Sequence, residues 1–218
     1  MFSALTDKRL KLFDSNLMEI SDSGADIEES ASEGYAKVSL KSDHKLVVFK
    51  KMERNKLQNL KCKNCADYIV FEEQDQNMKV HIFEMKRTVK SKEWKHIKKQ
   101  FLGAIINAYA LAGVLGEALD KHNIRLYTCY RRDLLQTPAA LRYALAAGDT
   151  SLELSDWNGK EILLKDLEQS KFQHEKIQLD EESGCAVYQL SLIHIWQPGD
   201  LHAGISREKR FYCCSISC

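Results

Sequence analysis

The strongest alternation of apolar and polar positions falls on two neighbouring runs, Asp67-Tyr-Ile-Val-Phe-Glu-Glu73 and Lys79-Val-His-Ile-Phe-Glu-Met85. Both are rich in β-branched and aromatic residues and predict strands, and the polar stretch Gln74-Asp-Gln-Asn77 between them predicts the turn of an antiparallel hairpin. If Glu73 pairs with Met78, counting back along both strands sets Asp67 opposite Glu84. Residues two apart on a strand share a face, so Glu84 and Lys86 project side by side while Met85 points away.

Elsewhere the pattern is coarser. Phe2, Leu5, Leu10, Phe13, Leu17 and Ile20 recur at helical spacing and predict a helix over Met1 to Ser21, followed by a flexible polar loop from Ser21 to Gly34. Ala36 to Leu40 and Leu46 to Lys50 read as strands joined by the turn from Lys41 to Lys45, so three or four antiparallel strands precede the next feature. A long helix is predicted from Ser91 to Leu119. Its second half, Phe101 to Gly116, carries no charge, and Gly103, Ala104, Ala108, Ala112 and Gly113 allow a close neighbour. That uncharged stretch is interrupted by Asn107 and falls short of the roughly 20 residues that span a bilayer, so it reads as core rather than membrane. Ile124 to Tyr130 is a further strand; coming after a helix, it joins the sheet in parallel by a crossover. Beyond Arg132 the signal weakens to a short helix over 139–147 behind Pro138, and strands over Ser151 to Trp157 and Ala186 to Trp196. These elements predict an α/β (α+β) fold with a mixed central β-sheet flanked by helices. Residues 1–132 form its core, and a C-terminal extension, 133–218, completes the sheet or carries specificity.

Charge changes this picture locally. The net charge is only +1, yet residues 1 to 35 hold eight acidic and three basic side chains, whereas Lys86, Arg87, Lys90, Lys92, Lys95, Lys98 and Lys99 face the single acid Glu93 between residues 85 and 100. Such a stripe neutralises phosphates even in a nearly neutral protein; the plainer alternative is a solvated helix entrance. Seven irregularly spaced cysteines and no cleavable apolar leader suggest a reducing cytoplasm. Cys62-Lys-Asn-Cys65 has the spacing of half a zinc knuckle, and a second pair is missing.

The chemistry concentrates on the hairpin. Two carboxylates directly opposite each other repel, so a cation belongs between them. Mg²⁺ is held by one or two carboxylates together with waters and substrate phosphates, which Asp67 and Glu84 can offer. The alternatives are a strand-entry aspartate bonding a backbone N–H and a lysine at a strand end lying along apolar surface.

The order of helix, strands, aspartate at the head of one strand, Glu-x-Lys on the next and then a helix bearing a glutamine resembles the PD-(D/E)xK superfamily of restriction-endonuclease-like nucleases. The segments that carry the resemblance are Cys65-Ala-Asp-Tyr-Ile-Val-Phe71, Ile82-Phe-Glu-Met-Lys86 and Lys99-Gln-Phe-Leu102, within about residues 36 to 130. Ala66 stands where that family has its proline, and the aromatic that usually follows the glutamine is not at the usual spacing. The resemblance implies Asp67 and Glu84 as ligands of Mg²⁺ or Mn²⁺, and Lys86 as the residue that orients or activates the attacking water. Gln100 takes the place of the helix glutamine, and a third acid comes from Glu19 or Glu33. It implies a metal-dependent nuclease, acting on DNA more than RNA, in host defence, restriction or repair, with Lys90, Lys92, Lys95, Lys98 and Lys99 gripping flanking phosphates and a homodimer as one arrangement. Two other expectations stay open: a nuclease fold without turnover, serving as a nucleic-acid-binding or assembly module, and a membrane-associated protein anchored by residues 101 to 116.

Overall fold

The computed structural model describes residues 7–31, 34–50, 52, 64–74, 77–135, 155–168 and 170–190. The fold is mixed α/β and dominated by strands. A seven-stranded sheet has the order β1-β4-β5-β6-β7-β9-β8, and a three-stranded sheet the order β10-β3-β2. The large sheet comprises β1 (Met18–Ser21), β4 (Leu46–Lys50), β5 (Tyr68–Gln74), β6 (Asn77–Val89), β7 (Ile124–Asp133), β8 (Glu161–Leu164) and β9 (Ser170–Gln178); the small one comprises β2 (Gly24–Ala31), β3 (Gly34–Lys41) and β10 (Cys185–Gln189). Two α-helices carry labels here, the single turn α1 (Asp7–Leu10) and the long α2 (Ser91–Leu115).

The strand β6 organises the molecule. It pairs antiparallel with β5 and parallel with β7, and β7 pairs parallel with β9. The chain passes from β6 through α2 to β7, the crossover that parallel neighbours require. One face of the large sheet carries Ile69, Phe71, Val80, Ile82, Leu126 and Phe172, packed with Trp94, Ile97, Phe101, Ile105 and Ala108 of α2. The opposite face carries Val48, Val70, Phe83, Met85, Tyr127 and Cys129, packed with Ile27, Val38 and Leu40 of the small sheet. The result is three layers: helix, seven strands, three strands. β4 reads Leu-Val-Val-Phe because it is buried on both faces, with Val47 and Phe49 toward the helix and Leu46 and Val48 toward the small sheet.

The helix α2 begins just past β6 without a side-chain cap and ends at Gly116, whose left-handed φ of 76° closes the last turn with N–H bonds to Ala112 and Gly113. Arg9 of α1 donates to the Leu115 carbonyl, a favourable place for a cation. Among the described residues no helix is long and apolar enough to cross a membrane.

Several expectations are corrected. The helix predicted over Met1 to Ser21 is, among the described residues, a single turn at Asp7–Leu10, and Met18–Ser21 is instead an edge strand paired with β4. The expected loop from Ser21 to Gly34 contains the strand β2, which pairs with β3 from Gly24↔Lys41 to Ala31↔Gly34. The strands around Ala36 to Leu40 and Leu46 to Lys50 form, but not as a hairpin: β3 lies in the small sheet and β4 in the large one. α2 stops at Leu115 rather than Leu119. Residues 155–158 are helical where a strand was expected, and the charged stretch before Ala186 supplies β8 and β9. The helix expected over 139–147, Cys62 and the C-terminal tail lie outside the described residues.

Candidate active site

The hairpin adopts the register read from the sequence. Glu73 pairs with Met78, and the ladder runs from Gln74↔Asn77 to Tyr68↔Phe83, stopping one residue short of Asp67, whose charge nonetheless acts on Glu84. Since Val80 and Ile82 face α2 and Phe83 and Met85 face the small sheet, Glu84 and Lys86 stand on the α2 side. Asp67 precedes β5 and ends the ladder: its Oδ2 accepts the Met85 backbone N–H at 2.8 Å. The alternative role of a strand-entry aspartate is thus realised, and it fixes the carboxylate beside Glu84.

Glu84 is fully buried. Its Oε1 accepts a hydrogen bond from the Lys86 ammonium, while its Oε2 is enclosed and has no hydrogen-bond partner among the described residues. Burial, reinforced by the neighbouring Asp67 charge, raises the Glu84 pKa well above the usual carboxylate range, and Lys86 only partly opposes this. Lys86 feels the converse: burial works against its ammonium, but Glu84 and Asp67 outweigh burial and its pKa is raised. The pair is short of positive charge, and a divalent cation would supply it.

The sequence left the third acid between Glu19 and Glu33. Glu19 is exposed on β1, two strands from β5, and Glu33 lies outside the described residues. Glu29 of β2 acts electrostatically on both Glu84 and Lys86, raising the pKa of each. It reaches this neighbourhood because the Tyr68 hydroxyl both donates to the Glu28 carbonyl and accepts the Glu28 N–H, at 3.0 Å, tying β2 to the first residue of β5. The signal was present in Gly24-Ala-Asp-Ile-Glu-Glu29, where Ala25 and Ile27 alternate with acids, as on a half-buried strand. Among the described residues no three His, Cys, Asp or Glu side chains are grouped closely enough to hold a metal ion. The residues present suit a largely hydrated Mg²⁺ carried by two carboxylates rather than a closed protein cage.

Gln100 lies on the flank of α2 that also carries Asn107, two turns on, and the Asn107 amide contacts Cys65 Sγ at 3.6 Å, so this flank faces the entry to β5. The Gln100 Oε1 is buried without a partner among the described residues. The lysines divide. Lys90, Lys92, Lys95 and Lys99 are exposed around the first half of α2, whereas Lys98 turns inward, 3.1 Å from Asp156 and over the Trp94 ring. Across β7, Thr128 is the direct partner of Glu84 and is bonded to His174 Nε2 at 3.0 Å. His174 is enclosed by Trp94, Phe101 and Trp157, and burial drives its pKa down to about 3, so it is neutral.

Against models of protein families, curated proteins and solved structures, the chain gives no match.

Proposed function

We propose that the protein is a metal-dependent nuclease that hydrolyses phosphodiester bonds, DNA in preference to RNA, on a core of restriction-endonuclease-like design. The observation that carries this reading is the buried Glu84 beside the Asp67 charge, with Lys86 bonded to one Glu84 oxygen and the second oxygen buried without a partner among the described residues. A buried carboxylate left half satisfied is costly, and proteins keep such groups where chemistry uses them.

Asp67 and Glu84 would hold Mg²⁺ or Mn²⁺, which when bound lowers the pKa of a water and offsets charge on the scissile phosphate. Lys86 would release Glu84 as that charge arrives, hold the attacking water in line and stabilise the developing negative oxygen. Gln100 Oε1 would accept a hydrogen bond from water or substrate. Lys90, Lys92, Lys95 and Lys99 surround the N-terminal half of α2, whose dipole already favours anions at that end, and would bind flanking phosphates. Lys98, committed to Asp156, would brace the helix instead.

Incubation of linear DNA, circular DNA and RNA with Mg²⁺, Mn²⁺ or chelator tests the reading. Cleavage should need the metal and should be lost in Glu84→Ala and Lys86→Ala proteins that still fold. Wild-type cleavage by either variant rejects the assignment. The direct Lys86–Glu84 contact favours one second reading, a nucleic-acid-binding module in which the lysine has permanently replaced the metal. It predicts steeply salt-dependent binding, with no turnover in any metal.

A further inference from the structure

The row of the sheet that contains Glu84 continues beyond it. Glu84 pairs with Thr128, and Thr128 pairs in parallel with Lys176 of β9, so the three residues stand in line across three parallel strands. They share a face: Leu126 and Tyr130 flank Thr128, and Phe172 lies four residues before Lys176, all in the core beneath α2. Two strand spacings place the Lys176 backbone roughly 10 Å from that of Glu84. β9 ends two residues later, at Gln178, so Lys176 stands at the C-terminal end of its strand, where ligands of parallel sheets bind.

The Lys176 ammonium is held in an unusual way. It sits 4.7 Å from the centre of the Trp157 ring, and among the described residues no carboxylate is within ion-pair distance of it. Trp157 is fixed in turn: its indole N–H donates to Asp133 Oδ2 at 2.8 Å, and its ring packs edge-on against Trp94 and Tyr130. Burial pushes the Lys176 pKa down, and the more distant Asp133 only partly restores it. A half-buried lysine braced by an aromatic ring, with its N–H donors unclaimed by any acid, is a prepared site for an anion.

We propose that Lys176 binds a phosphate flanking the scissile one, reached at the C-terminal end of β9 and not across the buried Thr128. The assignment rests on the nuclease reading of Glu84 and extends it by giving the substrate a second anchor at the end of β9. Lys86 would serve the reacting phosphate, and Lys176 its neighbour.

The test uses Lys176→Met, which keeps an apolar stem on Trp157 but removes the charge, and Lys176→Arg, which keeps the charge. Binding of short fluorescein-labelled DNA, single and double stranded, is measured by anisotropy across a salt series with chelator present, and cleavage is measured separately with Mg²⁺. Lys176→Met should weaken binding about three- to tenfold and lower the slope of log affinity against log salt by about 0.7 to 0.9, the signature of one lost phosphate contact. KM should rise with kcat little changed, and Lys176→Arg should stay near wild type. Wild-type affinity and slope in Lys176→Met overturn the proposal, as does equal loss in Lys176→Arg, which would assign the residue to packing on Trp157. If the wild type binds but never cleaves while the slope still falls, the nuclease reading fails and the Lys176 contact stands. If the wild type binds no DNA, both fail.

Discussion

Two glutamates on neighbouring strands, both fully enclosed, sit on opposite faces of the same sheet and are treated in opposite ways. Glu72 of β5 faces the small sheet with both oxygens engaged: Oε1 accepts from the Ser42 hydroxyl at 2.6 Å, and Oε2 lies 3.0 Å from His81 Nε2. The other His81 nitrogen is 2.9 Å from the Tyr127 hydroxyl, so the contacts run in a line from Ser42 through Glu72 and His81 to Tyr127 between the layers. Glu84 of β6 faces α2 with one oxygen on Lys86 and the other without a partner among the described residues. A fully satisfied buried network rigidifies a core, whereas a half-satisfied one is unfavourable unless a ligand completes it. The contrast separates a carboxylate that the fold needs from one that the fold tolerates.

The sharpest way to break the contrast is to exchange the consequences. Glu84→Ala and Lys86→Ala should cut metal-dependent cleavage by at least about a hundredfold, measured as initial rates at saturating Mg²⁺ on protein that is still folded. Glu72→Ala should act in reverse. Removing one partner strands His81 and the Ser42 hydroxyl, at a cost of about 3 kcal/mol or more, or of order 10 °C in melting temperature for a chain of this size. If Glu72→Ala melts with the wild type, its network is not the structural element that the geometry indicates.

Acid should expose the histidines on both faces. Burial lowers the pKa of His81, with Glu72 opposing, and brings that of His174 to about 3. A histidine whose pKa falls on folding contributes stability that is fully present above its unfolded value, near 6.5, and is lost as pH falls toward the folded one. For His174 alone the slope reaches about 1.4 kcal/mol per pH unit across that window. Urea midpoints should therefore fall between pH 6.5 and about 3. The double substitution His174→Phe, Thr128→Val, which removes both members of the 3.0 Å bond, should flatten part of the decline. An unchanged slope in that variant would assign the acid sensitivity elsewhere.

What could be read from the sequence follows the range of the interactions involved. The hairpin was legible down to its register because turn, alternation and pairing are all local: Glu73↔Met78 follows from where the polar turn sits. α2 was legible for the same reason, and Gly116 marked its end more faithfully than Leu119. β2 was not. Its acids made Ser21 to Gly34 look like a solvated loop, but Asp26 and Glu28 are answered by Lys37 on the next strand, at 2.7 and 3.2 Å. The pairing of β3 with β10, which brings Lys37 beside Cys185, joins segments too distant for any window to see. β1 kept an apolar spacing that fits a helix, and its pairing as an edge strand with β4 decided otherwise. Missing β2 also meant missing Glu29, whose charge acts on Glu84 and Lys86 from the other layer.

The smallest expected effect discriminates best, because its sign differs between the two glutamates. Glu84→Gln keeps the shape and leaves an amide oxygen to accept from Lys86, while removing the charge. The Glu84 pKa is raised although Lys86 is bonded to it, so the attraction of the lysine is already counted and ionisation is still unfavourable in the folded state. A carboxyl whose pKa rises on folding contributes stability that is full below its unfolded value, near 4.5, and is lost as pH climbs through the folded value. The glutamine variant escapes that loss. It should melt higher than the wild type at pH 8, by about 2–4 °C if the gain is about 1 kcal/mol, and the advantage should vanish toward pH 4.5. Mg²⁺ should raise the melting temperature of the wild type and leave Glu84→Gln unmoved, since only the wild type has a charge for it to satisfy. If Glu84→Gln instead melts lower at pH 8, the Lys86 contact outweighs burial. Glu84 would then be as settled in its contacts as Glu72, and the metal would have no vacancy to fill.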